Sequence, residues 1–190
     1  MSYLTKDILL EIVRDRNIET IIETGTGDGK STRVMAKVFK KVHTVELSFR
    51  LFLIAKLLNK KGGIKYNHGD SVKFLEKILP NILEPVVFYL DAHWCKNYFG
   101  MAAKSNFPLW EELKVIRERE YEDIIIIDDV HAFGEVRKNP YHKWQTVSPQ
   151  SVINYIGEER IDSARTLNDQ FIVYKKDLTK RIPKNKQPEQ

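Results

Sequence analysis

The chain has 190 residues, 42% of them hydrophobic and 30% charged, with a formal net charge of +5 and a single cysteine, Cys95. That length suits one domain with a sizeable core and is too short for two ordinary ones. One cysteine excludes an internal disulfide and a multi-cysteine zinc site and suits a reducing, cytoplasmic setting, while charges of both signs suit a solvated surface better than a nucleic-acid footprint.

Leu4, Ile8, Leu9, Ile12 and Val13 recur at helical spacing behind Thr5, a cap candidate, so the chain is expected to open on an amphipathic helix. Charges at Lys6, Asp7, Glu11, Arg14 and Asp15 interrupt it, and it is expected to be neither a signal peptide nor a membrane span. Strand-like runs follow at Thr20–Glu23, Val42–Glu46, Ile64–Asn67, Val86–Leu90 and Asp123–Asp128. They alternate with helical segments at Ser31–Lys40, Leu51–Asn59, Val72–Leu79 and Leu109–Arg119. This alternation predicts an α/β fold: a doubly wound, Rossmann-like, mostly parallel sheet with helices on both faces. Asp162–Leu167 and Gln170–Lys175, joined by Asn168 and Asp169, predict an antiparallel hairpin at the C-terminal edge of the sheet. Residues 1–177 are expected to form a single domain, and 178–190, basic and without apolar periodicity, a disordered tail.

Ligands of such sheets bind beyond the carboxyl ends of the strands, where the strand order reverses. Five places qualify, and each carries an acid: Glu23 to Gly29, Glu46, Asp70 with Ser71, Asp91 to Trp94, and Asp128 to His131. The first is the most informative. From Ile21 to Thr32 an apolar strand runs through an acid into three alternate glycines and then a helix, the pattern of a nucleotide-type cofactor loop. A phosphate-binding loop, G-x-x-x-x-G-K-[ST], matches at Gly29-Lys30-Ser31 and fails at Thr24, where its first glycine belongs. An ATP or GTP hydrolase is therefore the alternative, with Asp128 and Asp129 behind an isoleucine strand as its magnesium-binding acids. The other loop, E/D-x-G-x-G-x-G of S-adenosylmethionine (SAM) binders, is matched in full by Glu23, Gly25, Gly27 and Gly29. Glu46, 17 positions after Gly29, suits an acid that accepts hydrogen bonds from ribose hydroxyls. Asp70 and Ser71 suit an adenine amino group or a helix cap.

Through Glu23-Thr24-Gly25-Thr26-Gly27-Asp28-Gly29, Val45-Glu46-Leu47-Ser48, His68-Gly69-Asp70-Ser71 and Tyr89-Leu90-Asp91-Ala92-His93, the chain resembles the class I SAM-dependent methyltransferases. Leu90 to Trp94, Pro108 to Leu113 and Ile127-Asp128-Asp129 make it similar to the small O-methyltransferases of the macrocin O-methyltransferase and cephalosporin hydroxylase group, and more distantly to catechol O-methyltransferase. The resemblance implies a cofactor site of Glu23, Thr24, Gly25, Gly27, Gly29, Ser31, Glu46, Leu47, Asp70, Ser71 and Asp91. Within it, Glu23 and the glycines would hold the methionine part, Glu46 the ribose, and Asp70 with Ser71 the adenine. It also implies a magnesium ion on Asp91, Asp128 and Asp129, where the catechol enzymes have Asp-Asn in place of Asp128-Asp129. Such an ion would lower the pKa of an acceptor hydroxyl and align it with the sulfonium methyl.

Catalysis is assigned to Asp91 and to two histidines, His93 and His131, either of which suits a general base. The alternative for each histidine is a hydrogen bond to a loop carbonyl. Two long loops, Trp94–Phe107 and Ala132–Ser148, interleave aromatics with cations and are expected to shape the acceptor pocket, although any one of these aromatics equally suits packing onto the body. The expected reaction is O-methylation of a small molecule or sugar. An RNA acceptor and a catalytically inert SAM-binding module are the remaining alternatives.

Overall fold

The computed structural model describes residues 4–59, 62–92, 107–136 and 143–179. A seven-stranded sheet runs through its centre, built from β1 (Thr20–Thr24), β2 (Lys41–Glu46), β3 (Ile64–His68), β4 (Val86–Leu90), β5 (Ile124–Ile127), β6 (Ile161–Leu167) and β7 (Gln170–Lys175). The strand order is β3-β2-β1-β4-β5-β7-β6. The first five strands are mutually parallel, β7 is antiparallel to β5, and β6 is antiparallel to β7. The expected α/β sheet with its C-terminal edge hairpin is therefore present. Asn168 supplies the left-handed residue of the hairpin turn, at φ 54°.

Helices α1 (Lys6–Ile12), α2 (Lys30–Met35), α3 (Phe49–Leu58), α4 (Ser71–Ile78), α5 (Leu109–Arg117) and α6 (Pro149–Ile156) surround the sheet. Side chains alternate across the central strands, as the period of two requires. Val86, Phe88 and Leu90 of β4 face a core containing Leu75, Leu113, Ile116 and Val152 from α4, α5 and α6. Val87 and Tyr89 face the other core, with Leu9 and Ile12 of α1 and Met35 of α2. Both faces of β4 and β5 are fully covered, which is why these strands read as unbroken apolar runs. No helix among the described residues is long and apolar enough to cross a membrane.

Element ends shift by one to a few residues from the sequence expectation, and two larger differences have local reasons. Helix α2 ends at Met35 instead of running to Lys40, because the chain must turn back into β2 at Lys41; Phe39 still reaches the core from the turn. Helix α6 was not anticipated. Ser148 caps it and Ser151 returns the bond, a reciprocal box with serine where glutamate or glutamine is the usual signal, and Pro149 occupies the first turn.

At the amino ends of the strands a buried charge cluster joins the elements. Arg119 Nε donates to Asp123 Oδ2 at 2.9 Å, and its other nitrogens donate to the Ile82 and Glu84 carbonyls. Lys175 donates to the carbonyls of Ile116 and Arg119, and burial lowers its pKa to about 8. The opposite, carboxyl ends are left to the glycine loop and the acidic turns.

Candidate functional site

The strand order reverses between β1 and β4, and the glycine loop sits at that point. Gly25 and Thr26 both donate their N–H groups to the Val45 carbonyl, at 3.0 and 3.2 Å, which folds the loop over the end of β2. Gly25 has φ +83°, and a Cβ there would lie 2.3 Å from the Asp91 carbonyl oxygen. Only glycine allows the two main chains to approach so closely. Gly27 also has a positive φ, +54°, but nothing lies within 4 Å of where its Cβ would be, so that face of the loop is open.

Glu46 holds the loop in place. Its Oε2 accepts from Gly27 N and its Oε1 from Ser48 N, both at 2.8 Å. The expected ribose acid is thus at the glycine loop, with each oxygen already carrying one backbone hydrogen bond and one lone pair remaining. Glu23 is fully buried, and its carboxylate accepts from the hydroxyls of Ser31, Thr32 and Thr44. Burial pushes its pKa up to about 7 against those hydrogen bonds, with the nearby Glu46 charge adding to the rise. With no exposed surface and three hydroxyl partners, Glu23 braces β1, β2 and α2 from beneath the loop, and the half-buried Ser31 is one of those partners.

Asp70 caps α4, accepting from Lys73 N at 3.0 Å, and Ser71 is buried as the first residue of that helix. The cap expected as one option at this position is present. Leu47, 36% exposed, adjoins a small apolar platform that sequence reading missed. His68 stacks edge-on with Phe49 at 5.2 Å and donates from Nε2 to the Leu47 carbonyl. Glu112 of α5 was also missed as a site residue. It lies on that helix's buried face with Leu109, Leu113 and Ile116, and burial raises its pKa to about 7. The hydroxyls of Ser71 and Thr24 partly counter that burial, although neither Thr24 Oγ1 nor Glu112 Oε1 reaches a partner with good hydrogen-bond geometry.

Beyond β4 and β5 the main chains are linked across the sheet edge: Asp91 N donates to Thr24 O at 3.1 Å, and Asp128 N to Leu90 O at 3.2 Å. Asp128 Oδ2 accepts from the buried Tyr89 hydroxyl at 2.7 Å, and burial raises the Asp128 pKa. Asp129 takes the left-handed conformation, φ 60°. Its carboxylate groups with His131 and Asp169, not with Asp91 and Asp128: among the described residues, the ligand-type atoms of Asp129, His131 and Asp169 lie within 4.8 Å of one another. The three-carboxylate magnesium set is therefore not assembled, because the turn after β5 carries Asp129 toward the β6–β7 hairpin. Within the group, His131 Nδ1 lies 2.7 Å from Asp169 Oδ2. Neighbouring ligands on an octahedral ion bonded at roughly 2.1 Å stand about 3 Å apart, so this separation is that of a hydrogen bond.

His93, the other base candidate, lies outside the described residues, as do 94–106 and 137–142 of the two long loops and 180–190 of the tail. Of the loop aromatics that are described, Phe107, Phe133 and Trp144 pack on one another, with ring centroids 4.8 Å apart for Phe107 and Trp144 and 5.6 Å for Phe133 and Trp144. Phe107 and Trp144 join the core and Phe133 packs against it, and Phe107 and Trp144 also border a small pocket with Leu90, Ala92, Glu112 and Ile127.

No protein-family model matches the chain, and no curated protein matches it. Solved structures do. It is similar to an O-methyltransferase from Bacillus cereus determined with S-adenosylhomocysteine, at 24% identity and a TM-score of 0.59 over 90% of this chain and 80% of that one. A Staphylococcus aureus protein, provisionally named a caffeoyl-CoA O-methyltransferase, gives 18% identity and a TM-score of 0.62 over 93% and 84%. The O-methyltransferase TomG of tomaymycin synthesis from Streptomyces achromogenes, determined with SAM, gives 19% and 0.58 over 90% and 78%. At these identities the likeness is one of architecture, and it agrees with the strand order found here: the chain has the Rossmann-like fold of the class I SAM-dependent O-methyltransferases.

Proposed function

We infer that the protein is a SAM-dependent O-methyltransferase that transfers a methyl group to a hydroxyl of a small molecule or sugar. The observation that carries this reading is the glycine loop at the switch point, with Gly27 anchored by Glu46 and Gly25 laid against the Asp91 main chain. Solved proteins of the same architecture hold SAM or its product at O-methyltransferase sites, which supports the same cofactor here. On this reading Gly25, Gly27 and the Asp91 main chain flank the methionine part. Glu46 offers its remaining lone pairs to the ribose, and Leu47 with the Asp70–Ser71 turn borders the adenine.

The chemistry is direct displacement. The acceptor oxygen forms a bond to the sulfonium methyl as the S–CH3 bond breaks, and its proton passes to a base. Asp91, Asp128 and Asp129 do not fit together as the magnesium set the resemblance implies, so no step is routed through a metal. The loop geometry also weighs against the nucleotide-hydrolase alternative. Lys30 is 66% exposed and pairs with Asp28 at 2.9 Å, while Thr24 is buried as the last residue of β1.

Calorimetric titration with S-adenosylhomocysteine, beside a titration with ATP and Mg²⁺, tests the reading. Binding of S-adenosylhomocysteine without ATP binding is expected; the reverse overturns it. Methyl transfer is expected to survive chelator. Loss in chelator with recovery on adding Mg²⁺ would restore the three-aspartate metal site.

A further inference from the structure

Helix α3 departs from the pattern of its neighbours. Eight of its ten residues are apolar, yet only Ala55 is buried. Helix α4 by contrast turns Lys73, Glu76 and Lys77 to solvent, and α5 turns out Glu111 and Lys114. A helix that is apolar all round belongs inside a protein or against another apolar surface. On α3 the outward positions are Phe49, 54% exposed, Leu53, 38%, and Leu57, 64%, at the i, i+4, i+8 spacing that lines one face, with Leu58 70% exposed at the helix end. Arg50 and Lys56 are both exposed, and at about 100° per residue they fall on opposite sides of that stripe.

The charge around the stripe has one sign. From Leu47 to Gly69 the sequence carries Arg50, Lys56, Lys60, Lys61 and Lys65 and no acid. Arg33 of α2, also exposed, donates to Asn59 Oδ1 at the end of α3 at 2.8 Å. The acids nearest in sequence are engaged elsewhere: Glu46 holds a backbone N–H on each oxygen, Asp70 caps α4, and Asp28 pairs with Lys30.

This arrangement selects what covers the face. A second copy seated on it about a twofold axis would set the cations against their own counterparts, a like-charge contact that disfavours an isologous dimer. An anionic bilayer suits both parts of the surface. Apolar side chains enter the boundary between headgroups and acyl chains, while the arginine and lysine stems beside them reach the acidic groups of the lipid heads. A helix of ten residues is roughly 15 Å long, so α3 lies along such a surface instead of crossing it.

We propose that α3 docks the protein on an anionic lipid surface, with Phe49, Leu53 and Leu57 at the headgroup–acyl boundary and Arg33, Arg50 and Lys56 on the lipid headgroups. Ser48, whose N–H donates to Glu46, caps α3 by accepting from Leu51 N, so the docked bilayer runs beside the glycine-loop edge of the sheet. The inference stands apart from the methyltransferase reading, because docking requires neither cofactor nor acceptor.

The test is co-sedimentation of the full chain with vesicles of phosphatidylcholine, alone or mixed with phosphatidylserine. Binding to the mixed vesicles is expected, weakened by salt and stronger than binding to phosphatidylcholine alone by roughly tenfold or more. Leu53→Gln combined with Leu57→Gln is expected to weaken it by roughly tenfold or more, and Lys56→Glu, which reads the charge independently, by about the same factor. Leu83→Gln removes an apolar side chain that is 76% exposed outside α3, and is expected to leave binding unchanged. No binding to the mixed vesicles, equal binding to both vesicle types, or undiminished binding by the double leucine variant overturns the proposal. A dimer in sedimentation equilibrium that dissociates in the double leucine variant, without vesicle binding, overturns it in favour of a second copy. Binding to polyglutamate without vesicle binding overturns it in favour of an acidic protein.

Discussion

The loop at the switch point depends on single atoms. At Gly25 an added methyl would have to share space with the Asp91 carbonyl in a backbone conformation that side chains already disfavour. At Gly27 the conformation is similar but the space is open. Gly25→Ala is therefore expected to weaken S-adenosylhomocysteine binding at least tenfold and to destabilise the protein by more than the ~1–2 kcal/mol of a left-handed alanine. Gly27→Ala is expected to carry only that conformational cost. Urea unfolding and calorimetric titration of the pair check this; equal effects at the two glycines would show that main-chain contact with Asp91 is not what Gly25 protects. The same residue-level view adds to what the acid-glycine motif says of Glu23: Thr44, 21 positions away in sequence, and the α2 hydroxyls surround it in the folded chain.

Among the elements, the amino ends of β4 and β5, the carboxyl end of β7 and the end of α5 meet around one buried carboxylate. Asp123 accepts from Arg119 and from Val86 N and lies 3.6 Å from Lys175 Nζ. Removing one partner of such a cluster leaves buried charges uncompensated, which costs far more than the cluster contributes over an apolar replacement. Asp123→Ala is expected to lose about 3–5 kcal/mol in denaturant unfolding. Adding Lys175→Met should recover part of that loss, and no recovery would show that Lys175 is not burdened by the missing carboxylate. This cluster lies at the end of the sheet opposite the glycine loop, so its loss is expected to lower stability without changing cofactor affinity in the protein that remains folded. Element ends were also where periodicity was weakest. The apolar spacing in α2 continues to Phe39 because the turn after Met35 keeps the same face buried, and α6 lacked the acidic capping signal.

For the whole molecule, two acids buried under the site couple stability to pH. Glu23 and Glu112 both have folded pKa values raised to about 7 from 4.5. The folded state therefore holds more protons than the unfolded one between those values, and stability falls as pH rises through that window. Below pH 4.5 neither acid opposes folding; above about 7 each costs on the order of 3 kcal/mol. His43, whose half-buried ring has a lowered pKa, pulls the other way. Comparison with Glu23→Gln isolates one contribution: the stability of the wild type relative to this variant is expected to fall by up to about 1.4 kcal/mol per pH unit between pH 4.5 and 7. A pH-independent difference would mean that Glu23 stays ionised in the folded protein.

The fold class was legible from residues alone, because the sheet is covered on both faces and its strands must read as apolar runs between helices and strand-end turns. The glycine spacing likewise marked the cofactor loop, since close main-chain approach demands glycine whatever surrounds it. Strand order, the mutual support of Gly27 and Glu46, and the burial of Glu23 and Glu112 came only from the assembled sheet, which brings together residues distant in sequence. The acids after β5 show the division most plainly. Their sequence announces a carboxylate site, but the antiparallel return of β7 sets Asp169 against His131 beside Asp129, a meeting of residues 38 positions apart that only the assembled sheet reveals.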